Sequence, residues 1–210
     1  PWGIAYDPQN GYLYVTNWGS HSVSVINPAT NSVVATIPVG LYPVGITYDP
    51  QNGYIYVTNS WSDSVSVINP ATNKVIVNIS VGSGPCGITY DPQNGYIYVA
   101  NAGSNSVSVI NPATNKVIAN ISVGFSPSGI TYDPQNGYLY VTNVVSDTVS
   151  VINPATNKVI ANISVGINPY GPYGITYDPQ NGYLYVTIAY FKSDTVSVIN
   201  PATNKVIANI

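Results

Sequence analysis

Polar and apolar residues alternate with a period of two along most of the chain. Tyr12-Leu13-Tyr14-Val15-Thr16 sets large aromatic and aliphatic residues on opposite sides of an extended segment, and Ser22-Val23-Ser24-Val25-Ile26 alternates hydroxyl and β-branched side chains. Lys74–Val81 reads as a strand with Val75, Val77, Ile79 and Val81 on one face. Residues of these types fit a pleated, half-buried surface, and no helix-length segment has apolar residues at 3.6 spacing. Two turn signals interrupt the alternation. Asp7-Pro8-Gln9-Asn10-Gly11 places Pro where φ must lie near −65° and Asn-Gly where φ must be positive, and Asn27-Pro28-Ala29-Thr30-Asn31 has Asn at both ends. These signals predict four strands joined by hairpins: A (Gly3–Tyr6), B (Tyr12–Thr16), C (Ser22–Ile26) and D (Ser32–Val39).

The whole pattern recurs. YDPQNGY occurs five times, at Tyr6, Tyr48, Tyr90, Tyr132 and Tyr177, with steps of 42, 42, 42 and 45 residues. VSVINPATN also occurs five times, beginning at Val23, Val65, Val107, Val149 and Val196. A repeated unit of four antiparallel strands, apolar on both faces, is a propeller blade. The expected fold is therefore all-β, a five-bladed β-propeller forming one domain. Its blades are residues 1–42, 43–84, 85–126, 127–171 and 172–210. Five units make either a small ring or a piece of a longer one, and a ring would have to close by packing blade 5 face to face on blade 1.

The string LYVTN at Leu13–Asn17, preceded by YDPQNG and followed by SVSVINPATN, a VG step and P-x-G-I, resembles the YVTN-type β-propeller repeat. The resemblance covers essentially the whole chain. It implies an extracytoplasmic or cell-surface protein, since the family occurs in archaeal surface-layer proteins and bacterial extracytoplasmic proteins. The chain has Asn in INPATN where the family commonly has Asp.

The five copies are identical in the A–B turn and in the C–D turn. They differ in the B–C and D–A connections, which must share one side of the disc in an up-and-down sheet. That side is the candidate binding face. It carries Trp2, Trp18, His21, Tyr42, Trp61, Phe125, Tyr170, Tyr173, Tyr190 and Phe191, whereas the remaining 15 Tyr are the three repeated in every blade. Loop aromatics give recognition surfaces a large contact area at low entropic cost. The other reading is that they fill the channel mouth or pack loop on loop. Blade 5, with its longer connections, would bring Tyr170, Tyr173, Tyr190 and Phe191 beside Trp2 across a closed seam.

Composition narrows the chemistry. Charged residues are 6% of the chain, with five Lys, no Arg, no Glu and a net charge of −3, which argues against a nucleic-acid partner. No apolar run is long enough to span a membrane as a helix. One His, one Cys and no Glu leave few parts for an active site, so no catalytic activity, metal or cofactor is expected. Asp7, Asp49, Asp91, Asp133 and Asp178 read as turn residues rather than a carboxylate array. Asn17, Asn59, Asn101 and Asn143 read as strand-end caps, and Ile188 replaces them in blade 5. Cys86 has no base in its own blade. Asn78, Asn120 and Asn162 each open an N-I-S glycosylation sequon on strand D, meaningful in a secreted chain. The expected function is that of a non-catalytic scaffold or adhesion module at the cell surface. The alternative is a carbohydrate-binding propeller that uses the aromatic face, so the partner is a protein or a glycan.

Overall fold

The computed structural model describes residues 1–165, 171–188 and 195–210. Twenty strands form five four-stranded sheets, each antiparallel and each in chain order. Blade 1 comprises β1 (Ile4–Asp7), β2 (Tyr12–Asn17), β3 (Ser22–Asn27) and β4 (Ser32–Pro38), and blade 2 comprises β5 (Pro43–Tyr48), β6 (Ile55–Asn59), β7 (Ser64–Asn69) and β8 (Lys74–Ser80). Blade 3 follows as β9 (Pro85–Tyr90), β10 (Ile97–Asn101), β11 (Ser106–Asn111) and β12 (Lys116–Ser122). Blade 4 is β13 (Pro127–Asp133), β14 (Tyr138–Asn143), β15 (Thr148–Asn153) and β16 (Lys158–Ser164). Blade 5 is β17 (Pro172–Asp178), β18 (Tyr183–Ile188), β19 (Thr195–Asn200) and β20 (Lys205–Asn209). The expected five-bladed propeller is borne out, and the strands of blade 1 end within one residue of their expected bounds.

The invariant A–B turn is explained by its hydrogen bonds. Asp7 Oδ1 accepts from Gln9 N–H at 2.8 Å, and Asn10 Oδ1 accepts from Tyr12 N–H at 2.8 Å. The Asn10 amide donates to Tyr14 Oη at 2.9 Å, which gives a fully buried tyrosine its polar partner. Gly11, at φ +76°, closes the turn. Burial pushes the equivalent hydroxyls of Tyr56, Tyr98 and Tyr140 up to about 12.

Each blade has two different apolar faces. The face toward the next blade carries, in blade 1, Tyr12, Tyr14, Val23, Val25, Ala35, Ile37 and Val39. It packs on Ile46, Tyr48, Ile55, Val57, Ile68 and Val75, the opposite face of blade 2. Blades 2 and 3, 3 and 4, and 4 and 5 repeat the same pairing of faces. Near the axis the junctions are reinforced by a hydrogen bond. Thr16, Thr58 and Thr142 Oγ1 donate across them to the carbonyls of Val44, Cys86 and Tyr173, at 2.7–2.8 Å.

The outer strand departs from the expected alternation. A β-bulge lies between the Val67 and Ile68 pairings, with Val67 opposite Val77 and Ile68 opposite Val75. Ile76 is the extra residue and points outward, 46% exposed. Val75 therefore faces blade 1 while Val77, Ile79 and Val81 face blade 3. The single-face reading of these four valines and isoleucines is wrong at Val75, because one inserted residue moves every later side chain to the other face. Asn78 opposes Ser66 and so shares its side with Val75, not with Val77.

The contact between blades 5 and 1 that a closed ring would need is not among those observed. Among the described residues the four apolar clusters join blades 1–2, 2–3, 3–4 and 4–5, and none joins blade 5 to blade 1. Ile4, Tyr6 and Val33 are more than half exposed, at 61%, 54% and 59%, whereas the equivalent Ile130 is buried. Thr187, equivalent to the buried Thr16, Thr58 and Thr142, is exposed.

Two glycines test this difference. A Cβ on Gly45 would lie 2.2 Å from the Cys86 carbonyl of the next blade, while one on Gly174 would meet only the Thr187 side chain. Gly45→Ala is expected to cost about 1–3 kcal/mol as overpacking against backbone, and Gly174→Ala less than about 0.5 kcal/mol. Equilibrium urea unfolding of the two variants checks this, and equal losses would show that blade 5 is packed like the others.

Candidate functional site

The variable connections of blades 1 and 2 converge on one aromatic cluster. Trp18 opens a single 3-10 turn, Trp18–Ser20, between β2 and β3. Its ring centroid lies 4.4 Å from that of Tyr42, and Tyr42 lies 4.6 Å from Trp61, both pairs tilted by 50°. His21 meets the Tyr42 ring edge-on at 4.7 Å. Trp61 remains 69% exposed and Trp18 42% exposed, so the three rings form an open ladder rather than a core.

The backbone that carries this ladder is fixed by a clip that recurs, among the described residues, in three blades. His21, at φ +53°, accepts the Tyr42 N–H on Nδ1 at 3.1 Å. Asp63 and Asn105, also at positive φ, accept in the same way from Gly84 and Ser126 at 2.9 Å. A second set of bonds ties each of the first three D–A connections to the next B–C loop, at the first of them Ser60 N–H to Tyr42 O, Trp61 N–H to Leu41 O, and Leu41 N–H to Ser62 Oγ. His21 is thus both a neighbour of the ladder and the acceptor that positions Tyr42. This clip was not anticipated, although the polar residue recurring at 21, 63 and 105 was its signal.

The other expected site residues are dispersed. Phe125 is 63% exposed and receives the Val145 N–H on its carbonyl, so Phe125 and Val145 occupy the places that Leu41 and Trp61 hold two junctions earlier. Trp2 and Tyr173 line the central cavity, about 390 Å³, together with inner-strand residues of all five blades, including Cys86 and Ile130. Tyr170, Tyr190 and Phe191 lie outside the described residues, and with them most of the expected seam around Trp2.

On the opposite side, the turn aspartates each accept the N–H two residues on, at 2.8 Å, as expected of turn residues. They also alternate with tyrosines of the following blades: Tyr48 feels the carboxylates of Asp7 and Asp49, and Tyr90 those of Asp49 and Asp91. Among the described residues no three His, Cys, Asp or Glu gather as metal ligands. Burial pushes the Cys86 thiol up, which disfavours the nucleophilic thiolate. Asn59, Asn101 and Asn143 are fully buried and staple the two middle strands, donating for instance from Asn59 to Ser64 and Ser66 Oγ. The sequon residues Asn78, Asn120 and Asn162 are exposed and use the amide oxygen, accepting from Ser66, Ser108 and Ser150.

Five four-stranded blades around a central cavity, with variable loops on one side and invariant turns on the other, define a β-propeller of the repeat type expected from the LYVTN strings. The chain belongs to the YNCE-like β-propeller family, whose sequence profile matches residues 51–139 and 92–191. No curated protein matches it in sequence. Among solved structures it is similar to a Kuenenia stuttgartiensis hydrazine synthase chain, with a TM-score of 0.86 and 25% identity over 96% of this chain and 63% of that one. It is also similar to virginiamycin B lyase from Staphylococcus aureus (TM-score 0.81, 19% identity, 96% of this chain and 67% of that one). A functionally unknown protein from Desulfotomaculum acetoxidans gives a TM-score of 0.82 and 19% identity over 99% and 70%. The latter two likenesses show the fold alone. The chain spans less than two thirds of the hydrazine synthase chain's length.

The clip predicts a graded mutational response. His21→Asn keeps an acceptor and is expected to melt within a degree or two of the parent, whereas His21→Ala leaves the Tyr42 N–H unpartnered and costs about 1 kcal/mol. Thermal melts of the two variants distinguish a hydrogen-bonding role from a purely aromatic one.

Burial raises the carboxyls of Asp49, Asp91 and Asp133 above the ordinary range. The folded protein then takes up these protons at higher pH than the unfolded chain. The contribution of these groups to stability therefore rises as pH falls through the raised values, and the gain persists below the ordinary carboxylate value. The melting temperature at about pH 3 should be no lower than at about pH 7. Cooperative unfolding between those values would overturn this.

Proposed function

We propose that the protein is a non-catalytic adhesion module at the cell surface that recognises a neutral saccharide with the Trp18–Tyr42–Trp61 ladder. The observation that carries this reading is three rings in tilted contact, with Trp61 and Trp18 left exposed, in the connections where the blades differ most. Sugar C–H faces are apolar and sugar hydroxyls are neutral, so aromatic faces flanked by Ser20, His21 and Ser62 suit them. Phosphates and nucleotides call for cationic side chains or helix N-termini. The exposed sequon asparagines on the outer strands support an extracytoplasmic location, since that is where such residues can be glycosylated.

Two of the similar structures carry enzyme names, hydrazine synthase and virginiamycin B lyase. A catalytic reading of this chain would place the site at the central cavity, whose lining includes a thiol held protonated by burial and the two exposed aromatics Trp2 and Tyr173. The ladder favours recognition over that reading.

A glycan array probed with the full chain, followed by titration of the best ligand into Trp18→Ala, Tyr42→Ala and Trp61→Ala, tests the proposal. Binding should fall by about tenfold or more in each variant, with Trp61→Ala melting close to the parent. An array without signal would overturn it. So would a loss of several kcal/mol in Trp61→Ala, the mark of a core aromatic.

A further inference from the structure

We infer that the rim of invariant turns carries a second, repeated binding site, a groove between consecutive blades that takes one unit of a neutral saccharide. At the junction of blades 3 and 4 the groove measures about 620 Å³ and is lined by Asp91, Gln93 and Tyr96 of one blade and Tyr138, Asn153 and Ala155 of the next. The equivalent residues line a groove of about 350 Å³ at the junction of blades 1 and 2. All but the first tyrosine line another, about 420 Å³, at the junction of blades 4 and 5. These volumes lie within the roughly 300–1,000 Å³ of small-molecule pockets. Each groove is built by the A–B turns of two neighbouring blades and the C–D turn of the second, on the side of the disc away from the aromatic ladder.

The turns alone do not account for what lines these grooves. Asp, Asn and Gly are each needed by a hydrogen bond or a positive φ, but Gln and Ala are not, and yet Gln stands in all five A–B turns and Ala in all five C–D turns. The glutamine reaches across the junction: a Cβ on Gly53, Gly95, Gly137 or Gly182 would lie 2.7–3.0 Å from Oε1 of Gln9, Gln51, Gln93 or Gln135 of the blade before. All four junctions therefore share one geometry.

The ligand class follows from the groups left over. At the junction of blades 3 and 4, Asp91 Oδ1 accepts the Gln93 N–H and Asn153 Oδ1 accepts the Ala155 N–H, while Asp91 Oδ2 is buried without a partner. The Asn153 amide nitrogen, the Gln93 amide and the hydroxyls of Tyr96 and Tyr138 are not used by the fold among the described residues. The two tyrosine rings are half-buried and held by the apolar clusters of their junctions, so they stand as fixed walls. Donors and acceptors alternate between apolar ring surfaces, and no Lys or His lines any of the three grooves. That combination fits hydroxyls and C–H faces and offers an anion no counter-charge. Sites repeated at a fixed step along one rim favour a polymer of the sugar over its single unit, because the second contact is made at high effective concentration.

The test titrates neutral trisaccharides of glucose, mannose and galactose into the full chain carrying Trp18→Ala and Trp61→Ala, so that the ladder does not contribute and the two readings fail independently. At least one trisaccharide should bind at more than one site per chain. Gln93→Ala with Ala155→Lys alters two exposed side chains that no turn hydrogen bond uses. This pair should remove one site and leave the Kd of the others within about twofold. Adding Gln9→Ala, Ala71→Lys, Gln135→Ala and Ala202→Lys should weaken binding at least about tenfold. A soluble polysaccharide of the same sugar should bind about a hundredfold more tightly than the trisaccharide and lose that advantage when the three grooves are blocked. Circular dichroism confirms that each variant is folded. No binding of any of the three sugars, a single site per chain, or binding unmoved by the six rim substitutions would overturn the inference.

Discussion

A sheet that is apolar on both faces cannot stand alone in water, and every other feature of this molecule follows from that constraint. Each fully buried Val, Leu or Ile contributes roughly 1.5–3 kcal/mol relative to exposure, and each junction gathers several of them from both partners. No turn or hydrogen bond in the blade approaches that sum. The two faces are unlike, one built on Tyr and Val and the other on Ile, Leu and Val, so the contact has a direction. Direction makes the blades follow one another around an axis.

Because the junctions hold the blades, the two rims are free to serve different ends. On one rim, Asp, Asn and Gly of the A–B turn satisfy backbone donors and a buried tyrosine hydroxyl at once, and any change would break several bonds together. On the other rim the loops need only keep a clip acceptor at the position of His21, Asp63 and Asn105. The neighbouring positions can then be Leu and Trp in one blade, Ser and Gly in the next, and Phe and Val in the one after. Recognition chemistry collects where the backbone is already supported and the side chains are spare.

The blade was legible in the sequence because its turns are written in residues with one conformational use each, and five copies leave no doubt about the period. The aromatic side of the disc was legible too, since strand alternation fixes which connections share a rim. The bulge was not legible. The run Val75-Ile76-Val77 breaks the alternation without saying which residue is extra, and only the pairing of Val67 with Val77 and of Ile68 with Val75 identifies it as Ile76. Nor could spacing show that Trp18, Tyr42 and Trp61, drawn from two blades, would stack, because that depends on Tyr42 adopting positive φ under the His21 clip. Nor could the sequence say whether blades 5 and 1 meet. Sequence reports what each face can pack against, whereas curvature decides whether it arrives.

The interchangeability of the junctions bears on how such a chain can change over generations. Any blade offers its successor the same Tyr-Val face and its predecessor the same Ile-Leu-Val face. Loss or duplication of one whole unit, the usual outcome of unequal recombination between near-identical stretches of gene, would create a new neighbour pair without a single mismatched contact. Arc length would change while local packing did not. The loop rim would be reshuffled as intact cassettes, each arriving with its own clip. Architecture of this kind lets recognition surfaces be recombined at the level of whole blades, ahead of any point substitution.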